Sequence, residues 1–405
     1  MDKQTNVSKR KIRVLRIINR FNIGGPTYNA TFLTAFLDDR FETKLVGGLP
    51  DIGEADSLYI LNKYNVKPEL IKEMVRLPNI KSDREAFLKL KSIIREFKPD
   101  IVHTHASKAG ALGRKAAQSC NVPVIVHTFH GHVFHSYFGK LKTTIFKMIE
   151  RRLAKKSDAI VAISNLQKNE LTEIHKICAK EKTRVVPLGF DLQQFNEKKI
   201  SKRLEERQRL NLTKDEVAIA IVGRLAPIKN HSYFLDVAES VLDKSTVPLK
   251  IFIVGDGPEK EKIEERVKII NGKYNNSIIL TSWVTDVATF NSAMDVMCLT
   301  SLNEGTPVSL IEAQASGIPI VTTDVGGVKD ILLEGETGFV VPLDRKNLFV
   351  DRLLELINDE KKREKMSQNG WKHVEEKFHY GTLVKNMTNL YLELLELKKN
   401  EIKFQ

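Results

Sequence analysis

The sequence predicts an α/β protein built from two doubly wound parallel sheets, each in its own domain. Short β-branched runs alternate with helix-length amphipathic segments twice along the 405 residues, with a break near residues 190–215. The strand-like runs are largely apolar and lack the clean polar–apolar alternation of a half-exposed strand, a pattern typical of parallel strands covered on both faces. The alternation of strands and helices indicates right-handed βαβ units.

The first series opens with a strand at residues 12–18, a glycine-containing loop at 24–26 and a helix at 27–37. Its later strands are predicted at residues 101–103, 124–129, 159–163 and 184–187. The second series opens with a strand at 217–222, a loop at 223–230 and a helix at 232–242. Its later strands are predicted at residues 249–254, 277–280, 296–300, 318–322 and 339–341.

These two series define the expected domains. The N-terminal domain covers residues 1–192, and the second domain covers residues 193–379. A last helix, at about residues 380–405, lies beyond the second series, and we expect it to pack back on the first domain.

Composition excludes several classes of protein. The chain is 42% apolar and 28% charged, which is a globular balance. Its longest apolar runs have five or six residues, far short of the roughly 20 that a membrane span needs. Basic residues interrupt the first apolar stretch, so we do not expect a signal peptide. Three cysteines are too few and too far apart for a disulfide framework or a zinc site, and a reduced, cytoplasmic location is expected.

Charge is distributed unevenly along the chain. Residues 1–200 carry 36 Lys and Arg against 20 Asp and Glu, whereas residues 201–405 carry 28 against 31. The first half therefore holds the whole excess behind the net charge of +13. This asymmetry indicates a partner with fixed negative charge, either nucleic acid or an anionic membrane surface. The alternative is a solvated, lysine-rich surface.

Ligands of open parallel sheets bind beyond the carboxyl ends of the strands, so the loops at those positions are the candidate site. Gly24 and Gly25 follow the first strand, where a backbone without side chains can approach a phosphate. In the second series, Gly223 begins a loop in which Arg224 and Lys229 can converge on a diphosphate. Gly255 follows the next strand and is expected beside the same crevice.

The strongest local feature follows the strand at 296–300. Glu304 lies in the loop, and Pro307 suits the first turn of a helix because its missing N–H would be unpaired there. The N–H groups of Val308 and Ser309 would then point at the crevice as an anion site. Glu312 lies further along the helix, so that two carboxylates can face one ligand at different points.

Histidines mark the ends of two strands in the first domain. His127, His130 and His132 lie at or just after one strand end, and His105 ends the preceding strand near Lys108. Strand alternation sends His127 and His130 to opposite faces, and no acidic or cysteine ligands accompany them, so a metal site is disfavoured. A histidine that contacts a phosphate or a sugar hydroxyl is the favoured interpretation. No Asp-x-Asp pair occurs in the chain, so no divalent metal or other cofactor is expected.

Taken together, these motifs resemble family 4 of the retaining glycosyltransferases, which have the GT-B fold. The similarity spans the Gly-Gly loop, His130, the G-R-x-x-x-x-K loop at 223–229 and the segment EGTPVSLIEAQASGIPIV. The stretches HTHASKAGALGRKAA and HTFHGHVFHSYFG resemble a bacterial subset that assembles capsule, O-antigen and exopolysaccharide. One departure is Thr306-Pro307, where many members have an aromatic residue and Gly. The proline removes one backbone donor.

The resemblance implies roles for these residues. Arg224 and Lys229 would bind the donor diphosphate and stabilise it as it leaves, while Glu312 accepts hydrogen bonds from the ribose. Glu304 and His130 would contact the donor sugar, and Gly25 would offer its N–H to the diphosphate. His105, Lys108 and His132 are assigned to the acceptor side. Configuration would be retained by front-face attack, with no enzyme nucleophile and with catalysis by positioning and electrostatics.

Other functions remain as alternatives. A nucleotide-sugar 2-epimerase has the same fold, and a non-catalytic scaffold would bind the same ligand. A nucleic-acid-binding protein would need aromatic residues among basic strands or a recognition helix, and neither is found.

The favoured function is transfer from a nucleotide sugar, with UDP-sugar as the family expectation, to a polyprenyl-diphosphate-linked or glycan acceptor. Such an acceptor requires contact with the inner membrane leaflet. Residues 137–156 predict a basic amphipathic helix that binds anionic lipid without spanning the bilayer, although its apolar stripe could instead pack on the first sheet.

Overall fold

Both predicted series of strands form parallel sheets. The computed structural model describes residues 10–22, 24–50, 57–75, 79–131 and 140–403. The first sheet has seven strands: β1 (Ile12–Arg20), β2 (Phe41–Gly48), β3 (Glu69–Leu70), β4 (Ile101–His105), β5 (Val124–Phe129), β6 (Ala159–Ala162) and β7 (Thr183–Val185). Their order across the sheet is β3-β2-β1-β4-β5-β6-β7, with every pair parallel.

The second sheet has six strands: β8 (Val217–Val222), β9 (Leu249–Val254), β10 (Ile278–Thr281), β11 (Val296–Leu299), β12 (Ile320–Thr323) and β13 (Gly338–Val341). Their order is β10-β9-β8-β11-β12-β13, again all parallel. The predicted α/β fold with two doubly wound sheets is confirmed.

Helices connect the strands of each sheet. Those before the second sheet are α1 (Gly25–Ala35), α2 (Leu58–Lys63), α3 (Ile80–Phe97), α4 (Ser107–Ser119), α5 (Lys140–Lys155), α6 (Asn165–Asn169), α7 (Gln193–Asn196) and α8 (Lys199–Arg209). The remaining helices are α9 (His231–Lys244), α10 (Lys260–Asn271), α11 (Val287–Ser292), α12 (Val308–Ala315), α13 (Lys346–Asn358), α14 (Glu360–Phe378) and α15 (Tyr380–Lys403).

The chain divides into two units at positions close to the predicted boundaries. One unit comprises residues 1–190 together with 380–405, and the other comprises residues 191–379. Helix α15 thus belongs to the first unit, where Leu383, Met387 and Tyr391 are buried in the same apolar cluster as Phe32 of α1. The ring of Tyr380 also stacks on Phe36, with 4.5 Å between ring centroids.

Strand β2 was not predicted from the sequence. After Phe41 it has three polar residues, Glu42, Thr43 and Lys44, and it ends in Gly47-Gly48, so it lacks the β-branched run that marked the other strands. The glycines are required by close packing, because a Cβ on Gly48 would lie 2.1 Å from the Met74 carbonyl oxygen. Strand β3 has only two residues, both exposed, and leaves no periodic signal.

The strand order fixes where each sheet can hold a ligand. In the first sheet the chain proceeds from β1 to one side and returns to β4 on the other, and β8 and β11 have the same relation in the second sheet. Loops that leave such neighbouring strands in opposite directions open a crevice at the carboxyl edge. In the second unit this places the loops after β8 and β11 side by side.

No helix in the described ranges combines sufficient length with the hydropathy of a bilayer-spanning segment.

Candidate active site

A cavity of about 360 Å³ lies at the carboxyl edge of the second sheet. This volume falls in the range of small-molecule sites. Its lining comes from the loops after β8, β10 and β11 and from α11 and α12, and consists of Val222, Gly223, Arg224, Lys229, Val254, Trp283, Val284, Val287, Phe290, Glu304, Thr306, Pro307, Val308, Ser309 and Glu312. Seven of the residues predicted from the sequence therefore meet in one cavity: Gly223, Arg224, Lys229, Glu304, Val308, Ser309 and Glu312.

The loop after β8 presents the two cations. The Arg224 side chain is exposed, with no ion-pair or hydrogen-bond partner among the described residues. Gly255 supports this loop from behind, since a Cβ at that position would lie 2.0 Å from the Gly223 carbonyl oxygen. The Leu225 N–H donates to the Asp256 carbonyl at 2.9 Å. Gly255 itself does not line the cavity, so the structure gives it a packing role in the loop predicted to bind phosphate.

Glu304 and Lys229 join the loops after β11 and β8. The Lys229 Nζ lies 2.5 Å from Glu304 Oε1, and the Ser301 hydroxyl donates to the same oxygen at 2.6 Å. The Thr300 hydroxyl donates to the Lys229 carbonyl, and the Leu302 N–H donates to the Ile228 carbonyl. This network holds Oε1 of Glu304 and leaves its other oxygen available to a ligand.

A third loop, after β12, was missed by sequence reasoning. The Gly327 N–H donates to the Glu304 carbonyl at 3.0 Å. Gly326 has φ of +53°, and a Cβ there would lie 1.8 Å from the same carbonyl oxygen. The two glycines thus set the position of the Glu304 backbone. Their signal in the sequence was a Gly-Gly pair directly after a buried strand, the same signal that marked Gly24 and Gly25.

Helix α12 begins against the cavity. Pro307 is its N-cap and Val308 its first residue, one position later than the proline-in-helix arrangement predicted. Val308 and Ser309 line the cavity, where the first N–H groups of a helix favour an anion. Burial raises the pKa of Glu312 to about 7, and no hydrogen bond or ion pair to its carboxylate is found among the described residues.

The first unit contains a buried cluster of histidines. The His105 Nδ1 and the His130 Nε2 lie 2.9 Å apart. His103 contacts the Tyr391 hydroxyl through Nδ1 at 2.6 Å and the Thr128 hydroxyl through Nε2 at 2.7 Å. Tyr391 comes from α15 and was missed because its sequence separation from His103 gives no local signal.

All the histidines in this cluster are held neutral by burial. Desolvation lowers the pKa of His130 to about 3. It also places the pKa values of His103 and His105 well below their usual range, with the Arg16 charge adding to the effect. The His130 Nδ1 is buried and has no hydrogen-bond partner among the described residues.

The other first-unit candidates have different surroundings. His105 is fully buried, so it reaches a ligand only through His130. The Lys108 Nζ lies 2.6 Å from Asp83 and donates to the Val75 carbonyl, contacts that tie α4 to α3 and the preceding loop. Gly24 caps α1 and Gly25 begins it, after the carboxyl end of β1. His132 lies outside the described residues.

No group of three or more His, Cys, Asp or Glu side chains is placed to hold a metal ion in the part of the chain that the structure describes.

Comparison with solved structures identifies the fold. HepE of Anabaena in complex with UDP matches 94% of this chain and all of its own, with a TM-score of 0.77 at 18% identity. A glycosyltransferase from Rickettsia africae matches 96% of this chain with a TM-score of 0.79, also at 18% identity. At this level of identity the likeness shows the fold, which is GT-B.

Sequence comparison identifies the family to which the chain belongs. An Escherichia coli UDP-Gal:alpha-D-GlcNAc-diphosphoundecaprenol alpha-1,3-galactosyltransferase is 29% identical over 82% of this chain and 85% of its own length. The capsular polysaccharide biosynthesis glycosyltransferase CapM of Staphylococcus aureus is 28% identical over 78% of this chain and 82% of its own. Residues 27–194 match the Glycosyltransferase Family 4 model, and residues 202–373 match the Glycosyl transferases group 1 model. The resemblance seen in the sequence is therefore confirmed: the chain belongs to the family 4 glycosyltransferases of GT-B fold.

Proposed function

We propose that the protein transfers a sugar from a nucleoside-diphosphate sugar, with retention of configuration, to a lipid-linked acceptor in bacterial surface-polysaccharide assembly. The observation that carries the proposal is the convergence of Arg224, Lys229, Glu304 and Glu312 on one cavity of the second sheet. Two relatives support it by name, since the E. coli enzyme uses UDP-Gal and a diphosphoundecaprenol acceptor and CapM acts in capsule biosynthesis.

In this proposal the cations act on the leaving group. Charge develops on the diphosphate as the bond to the sugar breaks, and a fixed guanidinium stabilises that charge without reorganisation. Arg224 is free to do so because no carboxylate neutralises it among the described residues. Lys229 is held by Glu304 and so is already ordered before the donor binds.

The carboxylates then orient the donor. Glu312 accepts hydrogen bonds from the ribose, and the free oxygen of Glu304 accepts one from a sugar hydroxyl. His130 offers its unpartnered Nδ1 to a hydroxyl of the sugar. Because Oε1 of Glu304 is occupied by Lys229 and Ser301, we assign this residue to positioning and not to nucleophilic attack.

A thermal-shift panel of nucleoside-diphosphate sugars tests this function, because only ligands of the folded protein raise its melting temperature by mass action. Donors that stabilise are then assayed for release of nucleoside diphosphate with a polyprenyl-diphosphate sugar acceptor. We expect release to persist in excess EDTA, since the proposed mechanism relies on Arg224 and Lys229 for charge neutralisation. Stabilisation without release would instead favour a scaffold, and a strict requirement for added Mg²⁺ would contradict the metal-independent mechanism.

The raised pKa of Glu312 predicts a pH dependence of donor affinity. The carboxyl is neutral well below pH 7 and ionised above it, and the ionised form is the stronger acceptor for ribose hydroxyls. Donor binding should therefore strengthen from pH 6 to pH 8 and release a proton. The effect on stability has the opposite sign: because burial raises the folded-state pKa of Glu312 from 4.5 to about 7, the unliganded protein loses stability as the pH rises from about 4.5 to about 7.

Calorimetry in buffers of different ionisation enthalpy measures this proton release. The ligand should be an intact UDP-sugar, because the terminal phosphate of free UDP itself titrates near pH 6. Glu312→Gln should flatten the pH dependence. An unchanged dependence in that variant would assign the proton to another group.

The exposed face of α5 supports the membrane part of the proposal. Ile145, Met148 and Ile149 are 41–44% exposed at helical spacing, whereas Leu153 of the same stripe is only 9% exposed. Arg152, Lys155 and Lys156 are exposed beyond them. The acid of this helix, Glu150, is buried against Arg114 and leaves the surface positive. Apolar side chains beside uncompensated cations suit an anionic lipid surface.

Cosedimentation with vesicles tests this surface. We expect salt-sensitive binding to vesicles that contain phosphatidylglycerol, and loss of binding when Arg152, Lys155 and Lys156 are changed together to glutamine. Arg151 is left intact because it donates to the His175 and Lys176 carbonyls. The same three changes at Lys262, Lys365 and Lys372 in the second unit provide a control of equal charge. Equal binding to neutral vesicles would refute the electrostatic interpretation.

A further inference from the structure

A second cavity lies in the first unit, at the opposite edge of its sheet from His130. It has a volume of about 340 Å³ and is lined by Arg151, Ala154, Lys155, Lys176, Ile177, Cys178, Ala179 and Lys182. These residues come from the end of α5, which leads into β6, and from the segment that leads into β7. The cavity therefore lies at the amino edge of the first sheet, whereas His130 follows the carboxyl end of β5.

The charged groups on this lining are all positive: Arg151, Lys155, Lys176 and Lys182. None of these four cations makes an ion pair within the part of the chain that the structure describes. The acids adjacent to them in sequence do not line the cavity, since Glu150 is buried against Arg114 and Glu181 is exposed. A concave surface with uncompensated charge of one sign favours a ligand of the opposite sign, here an anion.

Two of the cations are held in place by backbone carbonyls. The Arg151 Nε donates to the Lys176 carbonyl at 2.9 Å, and its Nη2 donates to the His175 carbonyl at 2.8 Å. The Lys182 Nζ donates to the Ser157 carbonyl at 2.9 Å. A carbonyl carries no net charge, so these side chains are ordered without being neutralised. Binding an anion there costs little further conformational entropy.

The floor of the cavity is apolar. Ala154 and Ile177 are buried and belong to the same apolar cluster of the first unit. On α5, Arg151 and Lys155 follow Met148 by three and seven positions, so the three side chains lie on one side of the helix. Met148 is 44% exposed. The cationic cavity therefore borders directly on the exposed apolar residues of α5.

We propose that this cavity binds the phosphate group of an anionic glycerophospholipid, an inference that rests on the proposed function of α5 at the membrane. The two unesterified phosphate oxygens accept from the Arg151 guanidinium and from the lysines. The acyl chains lie along the exposed apolar residues of α5. General attraction to an anionic surface requires no particular headgroup, whereas fixed cations around a cavity select the phosphate.

Lys176→Gln tests the cavity without altering α5. The Lys176 side chain is exposed with φ of +49°, and the carbonyl that Arg151 contacts is retained. Lys98→Gln is the matched control, because Lys98 is an exposed lysine of the same unit with φ of +48° and does not line the cavity.

The two variants are compared by cosedimentation with vesicles that contain phosphatidylglycerol. Lys176→Gln should weaken binding by about tenfold or more, as expected when a hydrogen bond to a charged group is lost. Lys98→Gln should bind almost as well as the unaltered protein. Equal affinities of the two variants would overturn the cavity assignment and leave the general membrane surface of α5 standing. Failure of the unaltered protein to bind any anionic vesicle would overturn both.

Calorimetry with soluble ligands identifies the chemistry that the cavity recognises. Monomeric dihexanoylphosphatidylglycerol should bind at a single saturable site that Lys176→Gln weakens. Glycerophosphoglycerol, which lacks acyl chains, should bind about tenfold more weakly or worse, because burial of two CH₂ groups already contributes about that factor. Octanoate, which has a chain and a carboxylate but no phosphate, should also bind more weakly. Equal affinity for glycerophosphoglycerol would make a free phosphate ester the ligand and overturn the lipid assignment, and equal affinity for octanoate would overturn phosphate recognition.

Discussion

Replacing Arg224 or Lys229 with methionine should lower kcat by at least about a hundredfold, the usual cost of losing a donor that stabilises developing charge. Both side chains line the cavity from a surface loop, so the variants should fold. The measurement is the rate of nucleoside diphosphate release at saturating donor and acceptor, with melting temperature recorded in parallel. Lys262→Met removes a cation that is 73% exposed outside the cavity and should keep the full rate.

Lys229 needs a second variant, because its removal leaves the Glu304 carboxylate without its cation. If the loss in Lys229→Met came from the unpaired carboxylate alone, the double variant with Glu304→Gln would be as active as Glu304→Gln by itself. We expect the double variant to be much less active than Glu304→Gln, because the diphosphate still lacks its cation. Near-normal turnover in any of the Arg224 or Lys229 variants would remove the leaving-group assignment.

Gly326→Ala should reduce kcat by about a hundredfold although this residue contacts no ligand in the proposal. Its Cβ would lie 1.8 Å from the Glu304 carbonyl oxygen, so the loop that carries Glu304 must shift by more than an ångström. Displacements of about 1 Å can cost about a hundredfold in rate. Steady-state kinetics and a melting curve separate this effect from loss of the fold.

Gly335→Ala is the matched control for that variant. Gly335 has φ of +74°, so alanine there suffers the same left-handed backbone strain, but no atom lies within 4 Å of its Cβ position. It should lose a small amount of stability and keep its activity. Equal losses of activity in the two variants would mean that backbone strain, and not displacement of Glu304, is responsible.

The sequence predicted the strands that lead into the site better than it predicted the site's internal contacts. Buried parallel strands such as β5, β8 and β9 are mostly apolar runs, and their predicted bounds are those of the structure. The loops after these strands could be recognised in the sequence because glycine and charged residues come after each strand. Strand β2 was missed because polar residues 42–44 interrupt its apolar pattern and because its terminal glycines meet packing needs that appear only when its neighbours are in place.

Contacts between distant segments could not be predicted. The Lys229–Glu304 pair joins residues 75 positions apart. Local periodicity does not reveal which strands are neighbours in the sheet. The histidines show the same limit. Their position at strand ends predicted a cleft. The lowered pKa of His103 comes from its burial and from the charge of Arg16, and its partner Tyr391 comes from the last helix, so neither could be predicted locally.

The membership of α15 in the first unit has a consequence for biosynthesis. The ribosome completes strands β1–β7 almost 200 residues before it makes α15, yet Leu383, Met387 and Tyr391 complete the apolar cluster beneath those strands. During translation the apolar cluster of the first unit therefore stays incomplete until the whole second unit has been synthesised. Nascent chains at this stage expose a hydrophobic groove of the kind that chaperones bind. The second unit is continuous in sequence, so it can finish folding before the unit that precedes it.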